Sequence, residues 1–446
     1  MIPDAADLYN ALVLADEAAA REQAEWLEEA FVESGLSFGS EGMRSFLRPH
    51  FVERAAWNRL RDDGHRLLEL LARAARQAFE GDVGRLLAWL GTPEAEARWV
   101  RLDPGEPDVV LSRLDAFLTP DGPRFIEVNS DAPAGFGYGD RMAGVFQRLP
   151  VFQEFARLRR VSYLPSGDRL VDAVLGVWRR RGGSGSPSVA IMDWADVKTR
   201  ADQEILRQAF AARGLDCFLA DPRAAEVRGG RLVAEGRAVD VVYRRAVLSE
   251  MVAREDEVRP FLESYRDGLA VFVNSLRCHL SEDKAFFALV TDEAQALLSE
   301  DERRFVAGIV PWTRKLEERR SEAGGRMIDL LPYVLENRAR LVLKPAHGYG
   351  GRAVFVGDET APSAWESAVL EGLGAAWIVQ ERVVIPEERF PVFAGGRLGL
   401  DSLKVNANPF YVAGAEVGAV TRASRSSVIN VSAGGGSVPT FVVDAP

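Results

Sequence analysis

The sequence predicts a mixed α/β protein in which a helical amino-terminal layer precedes a sheet-bearing core interrupted by a small α/β domain. Three observations carry that expectation. Residues 1 to about 100 show the apolar spacing of amphipathic helices, as in LYNALVLADEAAAREQAEWLEEAFVES and GHRLLELLARAARQAFEGDVGRLLAWL, with Pro and Gly sparse inside the runs. From 109 to 130 the pattern alternates with period two. From 186 to 270 strand and helix patterns succeed one another, the mark of a partly parallel sheet.

The two period-two runs, VVLSRLDAF and RFIEVNS, flank the turn Pro120-Asp121-Gly122-Pro123, so a hairpin is expected. Residues two apart on a strand share a face. Arg113 therefore sides with Asp115, and Glu127 with Asn129. Pairing the strands gathers Asp115, Glu127 and Asn129 into one oxygen-rich cluster with a guanidinium beside it. Carboxylate and amide oxygens are the donors that Mg²⁺ takes, usually together with substrate phosphates. A salt-bridged surface hairpin would produce the same pattern from these residues alone.

The glycine-bearing segment GFGYGD (135–140) fits neither the spacing nor the context of a dinucleotide fingerprint and is read as a loop. Helical pattern returns over 140–180 and ends in the linker RRRGGSGSP. Beyond it, VAIMD (189–193), LDCFLAD (215–221) and the end of RLVAEGRAVDVVYRR (231–245) read as strands, with a helix over 200–214. A helical stretch is expected to run to about 340.

Then RLVLKPAHGYGGRAVFVG (340–357) places Lys344 at the end of an apolar strand, ahead of a loop bearing Gly348, Gly350 and Gly351. Glycines let backbone N–H groups approach phosphate oxygens, and a lysine adds a point charge. The loop runs from strand to strand and lacks GxxxxGK[ST], so it is not a P-loop. Trp377 to Glu381 is a further strand, and Gln380 and Glu381 at its exit suit a nucleotide base bonding to backbone groups.

The balance of the chain excludes several classes. A net charge of -11 argues against a nucleic-acid partner. No apolar run reaches membrane-spanning length, and the amino terminus lacks the basic start and apolar core of a signal peptide. A cytoplasmic setting follows. Cys217, Cys278 and four histidines have no zinc-site spacing, and Cys278 and His279, read as strand neighbours, face opposite ways.

In order along the chain, these motifs resemble the ATP-grasp ligases, in particular the circularly permuted branch of eukaryotic-type glutathione synthetase and glutathionylspermidine synthase. The resemblance covers about 105–446 and implies a permuted ATP-grasp fold that binds ATP and Mg²⁺. It implies metal ligands at Asp115, Glu127 and Asn129, and phosphate contacts from Lys284 (in SEDKAFF), Lys344, Gly348, Gly350 and Gly351. It also implies base contacts at Gln380 and Glu381, and roles for Arg113 and Arg422 on the acyl carboxylate and tetrahedral oxyanion. Gly434 to Gly436 match a glycine lid. Glutathione synthetase has a carboxylate in its glycine loop where this chain has Gly348, and Asp115 is taken as its replacement. Ser424 stands where that enzyme has a lysine, which departs from glutathione-type substrates.

The implied map is a helical region over 1–105, a first core part over 106–180, an α/β acceptor domain over 186–270 and a nucleotide part over 271–446. Asp193, Glu204, Arg244 and Arg245 are acceptor candidates. The implied reaction joins a small-molecule carboxylate to an amine through an acylphosphate, in a chain whose default assembly is a homodimer. A small-molecule kinase of the same fold and a silent ATP-binding module are the alternatives.

Overall fold

The computed structural model describes residues 4–102, 105, 109–348, 353–413, 415, 417–429 and 435–445. Its centre is an eight-stranded sheet. The expected hairpin forms one edge: Leu111–Thr119 pairs antiparallel with Gly122–Asn129, setting Arg113 opposite Asn129 and Asp115 opposite Glu127. Next come Arg397–Val412, Ala419–Ser424 and Gly436–Val443, all antiparallel, then His50–Glu53 in parallel. Two further strands hang on this path, Glu387–Ala394 beside Arg397–Val412 and Val161–Ser162 beside Gly436–Val443. The amino-terminal region is thus not wholly helical. Its His50 strand completes the sheet, because Thr440 to Val443 leave an edge that must be paired.

Residues 188–273 form a four-stranded, all-parallel sheet in the order Val271–Val273, Val241–Arg244, Ser188–Met192, Asp216–Ala220. The helix Arg200–Ala212 is the crossover between the last two. Strands covered on both faces read as continuous apolar runs, which is why VAIMD was legible. A third sheet carries the glycine loop. In it Thr313–Lys315, Trp377–Glu381, Leu341–Pro345 and Phe355–Val356 lie side by side, antiparallel, around a core containing Leu343, Trp365, Trp377 and Val379.

Three expectations fail locally. GFGYGD is not a loop: its residues open the helix Phe136–Phe146. Asp202, from the inserted domain, accepts the backbone N–H groups of Gly135, Gly137 and Tyr138 at 2.9–3.0 Å, capping that helix from 64 to 67 residues away. A cap supplied by tertiary contact leaves no local signal. The helical stretch toward 340 is broken by Thr313–Lys315 and by the hairpin Arg320–Ala323 with Arg326–Asp329, turned at Gly324-Gly325 with positive φ. Cys278 and His279 do not lie on a strand; they fall in consecutive helical turns, both buried in one polar cluster.

Asn274 fastens the inserted domain to the site strands. Its side-chain oxygen accepts from the N–H groups of Val110 and Leu111, and its amide donates to the carbonyls of Leu111 and Ser130, at 2.7–3.0 Å. Among the described residues no helix is long and apolar enough to cross a membrane.

Candidate active site

The three parts of the fold meet at the hairpin. Asp115 and Asn129 lie on adjacent strands, and the Asn129 amide donates to Asp115 Oδ1 at 3.0 Å. Arg113 Nε donates to the same oxygen at 3.2 Å, and its Nη1 to the Ala134 carbonyl at 3.0 Å. Arg422 arrives from the strand Ala419–Ser424 and points Nη1 at Asp115 Oδ2, 3.4 Å away. Two guanidiniums and an amide thus converge on one buried carboxylate. Burial, with the Arg113 cation adding to it, pushes Arg422 down to about 10, so it stays charged at neutral pH.

Both lysines expected to contact phosphate face this hairpin. Lys284 Nζ sits 3.0 Å from Glu127 Oε1 and donates to the Gly348 carbonyl at 2.9 Å. Burial works against its charge, yet Glu127 and the acidic neighbours Glu282 and Asp283 hold it above its ordinary range. Lys344 Nζ donates to the Ile126 carbonyl and to Gln380 Oε1, both at 3.1 Å. It has no carboxylate within ion-pairing distance among the described residues, and burial pushes it down to about 8, with the Lys284 cation in the same direction. The two lysines therefore differ: one is paired, the other is a buried cation held by neutral oxygens.

Gln380 spends its side chain holding Lys344, and its own amide donates to Thr313 Oγ1 at 3.0 Å. The Glu381 backbone N–H is engaged by the Trp312 carbonyl at 2.7 Å. Gly348 has φ +130, a conformation glycine adopts without strain. Gly350, Gly351 and Gly434 lie outside the described residues. Gly436 opens a strand, where a Cβ would come within 2.5 Å of Phe46.

The donor set suits a divalent cation in part. Glu127 commits one oxygen to Lys284, and Asn129 commits its amide nitrogen, so a carboxylate and a carbonyl oxygen are available side by side for a hard cation that also holds phosphates. Asp115, the expected third ligand, has both oxygens engaged by N–H donors here. Among the described residues no group of three or more His, Cys, Asp or Glu is arranged to hold a metal without help.

In the inserted domain the two adjacent arginines diverge. Arg244 is neutralised by Asp131, 2.5 Å away, and belongs to the core. Arg245 turns to the other side, donates to the Pro133 carbonyl, and faces Tyr243, Asp202 and Asp193. Asp193, pushed by burial up to about 6, accepts from Gln203 at 2.5 Å. Glu204 is paired with Arg207 on the helix surface. Sequence reasoning missed Gln203, Asp202, Asp131 and Asn274. These are single polar residues in otherwise ordinary helix or strand patterns, and nothing local distinguishes them.

This arrangement sits in a chain whose residues 102–424 match the family model described as circularly permuted ATP-grasp type 2. An uncharacterized protein of Mycobacterium leprae is 23% identical over 98% of this chain and 79% of its own length. A Frankia casuarinae protein provisionally named a glutamate–cysteine ligase is 26% identical over 75% of this chain, which spans only 38% of that protein. Among solved structures, a glutathione synthetase-like effector from Globodera pallida superposes with a TM-score of 0.61 at 12% identity, covering 96% of this chain and 98% of its own. That likeness shows the fold. With the family model covering well over half of the sequence, the chain belongs to the circularly permuted ATP-grasp type 2 family.

Proposed function

We propose that the chain is an ATP-dependent carboxylate–amine ligase that forms an amide bond through an acylphosphate, with release of ADP and phosphate. The observation that carries the reading is the convergence of Arg113 and Arg422 on Asp115 and of Lys284 on Glu127, with Lys344 beside them on the Ile126 carbonyl, in one largely buried patch. Membership of the ATP-grasp family and the ligase name of a relative support it.

Mg²⁺ would be held by Glu127 and Asn129, with Asp115 beside them, and would supply charge neutralisation at the β- and γ-phosphates. Lys284, Lys344 and the glycine loop would cradle the phosphates of ATP. Arg113 and Arg422 would hold the acyl carboxylate in line with the γ-phosphorus. Its oxygen bonds to that phosphorus as the bond to the β-phosphate oxygen breaks, and ADP leaves. The amine then bonds to the acyl carbon and phosphate departs, the amine proton passing to solvent. No step needs a covalent protein nucleophile; positioning and fixed charge provide the acceleration.

Arg245 and Asp193, the candidates for the second substrate, are buried with Gln203, so a zwitterionic amine would reach them only if the inserted domain opened. Both cysteines are free and buried, in keeping with a reducing, cytoplasmic setting.

The test is Mg²⁺-dependent ADP release from ATP with pooled carboxylates, with and without pooled amines. Release that needs both pools supports the ligase. Release with carboxylates alone, and stable phosphorylated product, would replace it with a kinase. ATP binding without any release would leave a silent module.

A further inference from the structure

The first residues of the glycine loop are clamped by Lys284 and by further contacts that lie beyond the phosphate site described above. After the strand Leu341–Pro345, the chain passes along Asp283 and Lys284. The Lys284 backbone N–H donates to the Ala346 carbonyl at 3.1 Å, and its Nζ to the Gly348 carbonyl at 2.9 Å. Between these two, His347 brings Nε2 within 2.6 Å of Asp283 Oδ2. The Asp283 side chain is fully buried, and its other oxygen accepts from Ala285 N–H at 2.7 Å.

The His347 ring also lies flat on that of His279, centroids 4.7 Å apart and planes 3° from parallel. His279 is itself fixed. Its Nε2 lies 3.1 Å from Glu96 and its Nδ1 3.7 Å from Asp131, and Asp131 is held by Arg244 and by the Leu248 N–H. Thus a carboxylate wall and an imidazole floor form a socket, and His347 fills it.

We propose that His347 is a positioning residue: its seat between Asp283 and His279 fixes where the glycine loop leaves its strand, and with it the aim of Lys284. The proposal rests on the nucleotide-binding part of the function proposed above. Two features support it. The socket consists of groups that would be costly to bury without partners. Asp283 adjoins Lys284, while the floor is braced by parts that make no contact with the phosphate lysines: Glu96 of the helical region, Asp131 of the segment after the hairpin, and Arg244 of the inserted domain. The loop is thereby referenced to the whole fold instead of to its own two strands.

The test uses the full chain with H347A, H347Q and the double variant D283N/H347A, which removes the carboxylate that H347A would strand. ATP affinity is read by calorimetry with a non-hydrolysable ATP analogue and Mg²⁺, and KM and kcat are read separately where turnover is found. We expect H347A and the double variant to weaken nucleotide binding at least tenfold and to raise KM for ATP in parallel. For H347A at saturating ATP, kcat should stay within about threefold of the parent. H347Q, which keeps an N–H near Asp283, should recover part of the affinity. A folded double variant that binds the analogue as tightly as the parent overturns the proposal. A parent that binds the analogue but makes no amide refutes the ligase reading alone, because the binding comparison still stands. A parent that binds no nucleotide sinks both.

Discussion

Lys344→Met isolates the cost of the buried, unpaired cation. The parent ammonium is depressed from its ordinary 10.5 to about 8 by burial. The sign follows from linkage: below pH 8 the group is charged in both folded and unfolded chains, and folding bears the full penalty. Between 8 and 10.5 the folded chain has released the proton that the unfolded chain still holds, so the penalty fades as pH rises. At about 1.4 kcal/mol per pH unit, the penalty is roughly 3 kcal/mol at pH 7 and about half of that or less at pH 9.5. Methionine carries no such term, though it leaves the Ile126 carbonyl and Gln380 Oε1 without their donor, an offset of about 1–3 kcal/mol that does not vary with pH. The net change at pH 7 is therefore small. The informative quantity is the difference between variant and parent, which should shift by about 2 kcal/mol in favour of the parent from pH 7 to 9.5. Urea unfolding at both pH values, with equal m-values, measures it. Parallel stabilities at the two pH values would show that Lys344 titrates normally, and would remove the claim that the site buries a cation without an ion-pair partner.

Further outcomes follow from the same geometry. In the active enzyme, kcat/KM for ATP should fall above pH 8 as free Lys344 loses its proton, while kcat holds to higher pH because bound phosphate restores the charge; Lys344→Arg should move that limb out of range. Glu127→Gln keeps an oxygen for Lys284 but loses the charge, and should cut ADP release by about 10³-fold or more with thermal unfolding shifted by only a few degrees. Near-parental turnover would exclude a metal role for Glu127. Arg422→Ala should raise KM for the carboxylate and lower kcat by on the order of 10²-fold while leaving ATP affinity intact, which calorimetry can check. Asp202→Ala strips three N–H groups of their acceptor and should cost about 2–4 kcal/mol in chemical unfolding, with Asp202→Asn recovering part of it. An unchanged midpoint would show that the helix Phe136–Phe146 holds its start without the cap.

The hairpin was legible because its signal is local: period-two runs, a Pro-Asp-Gly-Pro turn, and polar residues at alternate positions. The parallel sheet was legible for a related reason, its strands being short and apolar, with one helix between Ser188–Met192 and Asp216–Ala220. The strand-to-strand glycine loop reads directly from LVLKPAHGYGG. What stayed hidden depends on partners distant in sequence. The helix at Phe136 contains three glycines in its flank and first turn, and is helical because Asp202 caps it. The strand at Thr313 exists because Trp377–Glu381 offers it a partner, and a three-residue strand has no period to detect. The division of labour between Arg244 and Arg245 was equally invisible. Adjacent at the end of the strand Val241–Arg244, they turn to opposite sides, and the position of Asp131 decides which of them is consumed by the core. The pairing of Lys284 with Glu127, against the seating of Lys344 on the Ile126 carbonyl 218 residues away, is a property of register that no motif encodes.

The brackets formed by Asn274 and Asp202 bear on how such enzymes diversify. Each reaches out of the inserted domain and satisfies main-chain groups of the core, so the insert is not a cartridge that slides in and out between two linkers. A chimera carrying a foreign inserted domain would open unpaired N–H groups at Val110, Leu111 and the start of the helix at Phe136, beside the residues expected to handle phosphate. New substrate preference should then arise by altering side chains within a retained insert, and swaps made by breeders of new ligases should succeed only when both brackets travel with the graft.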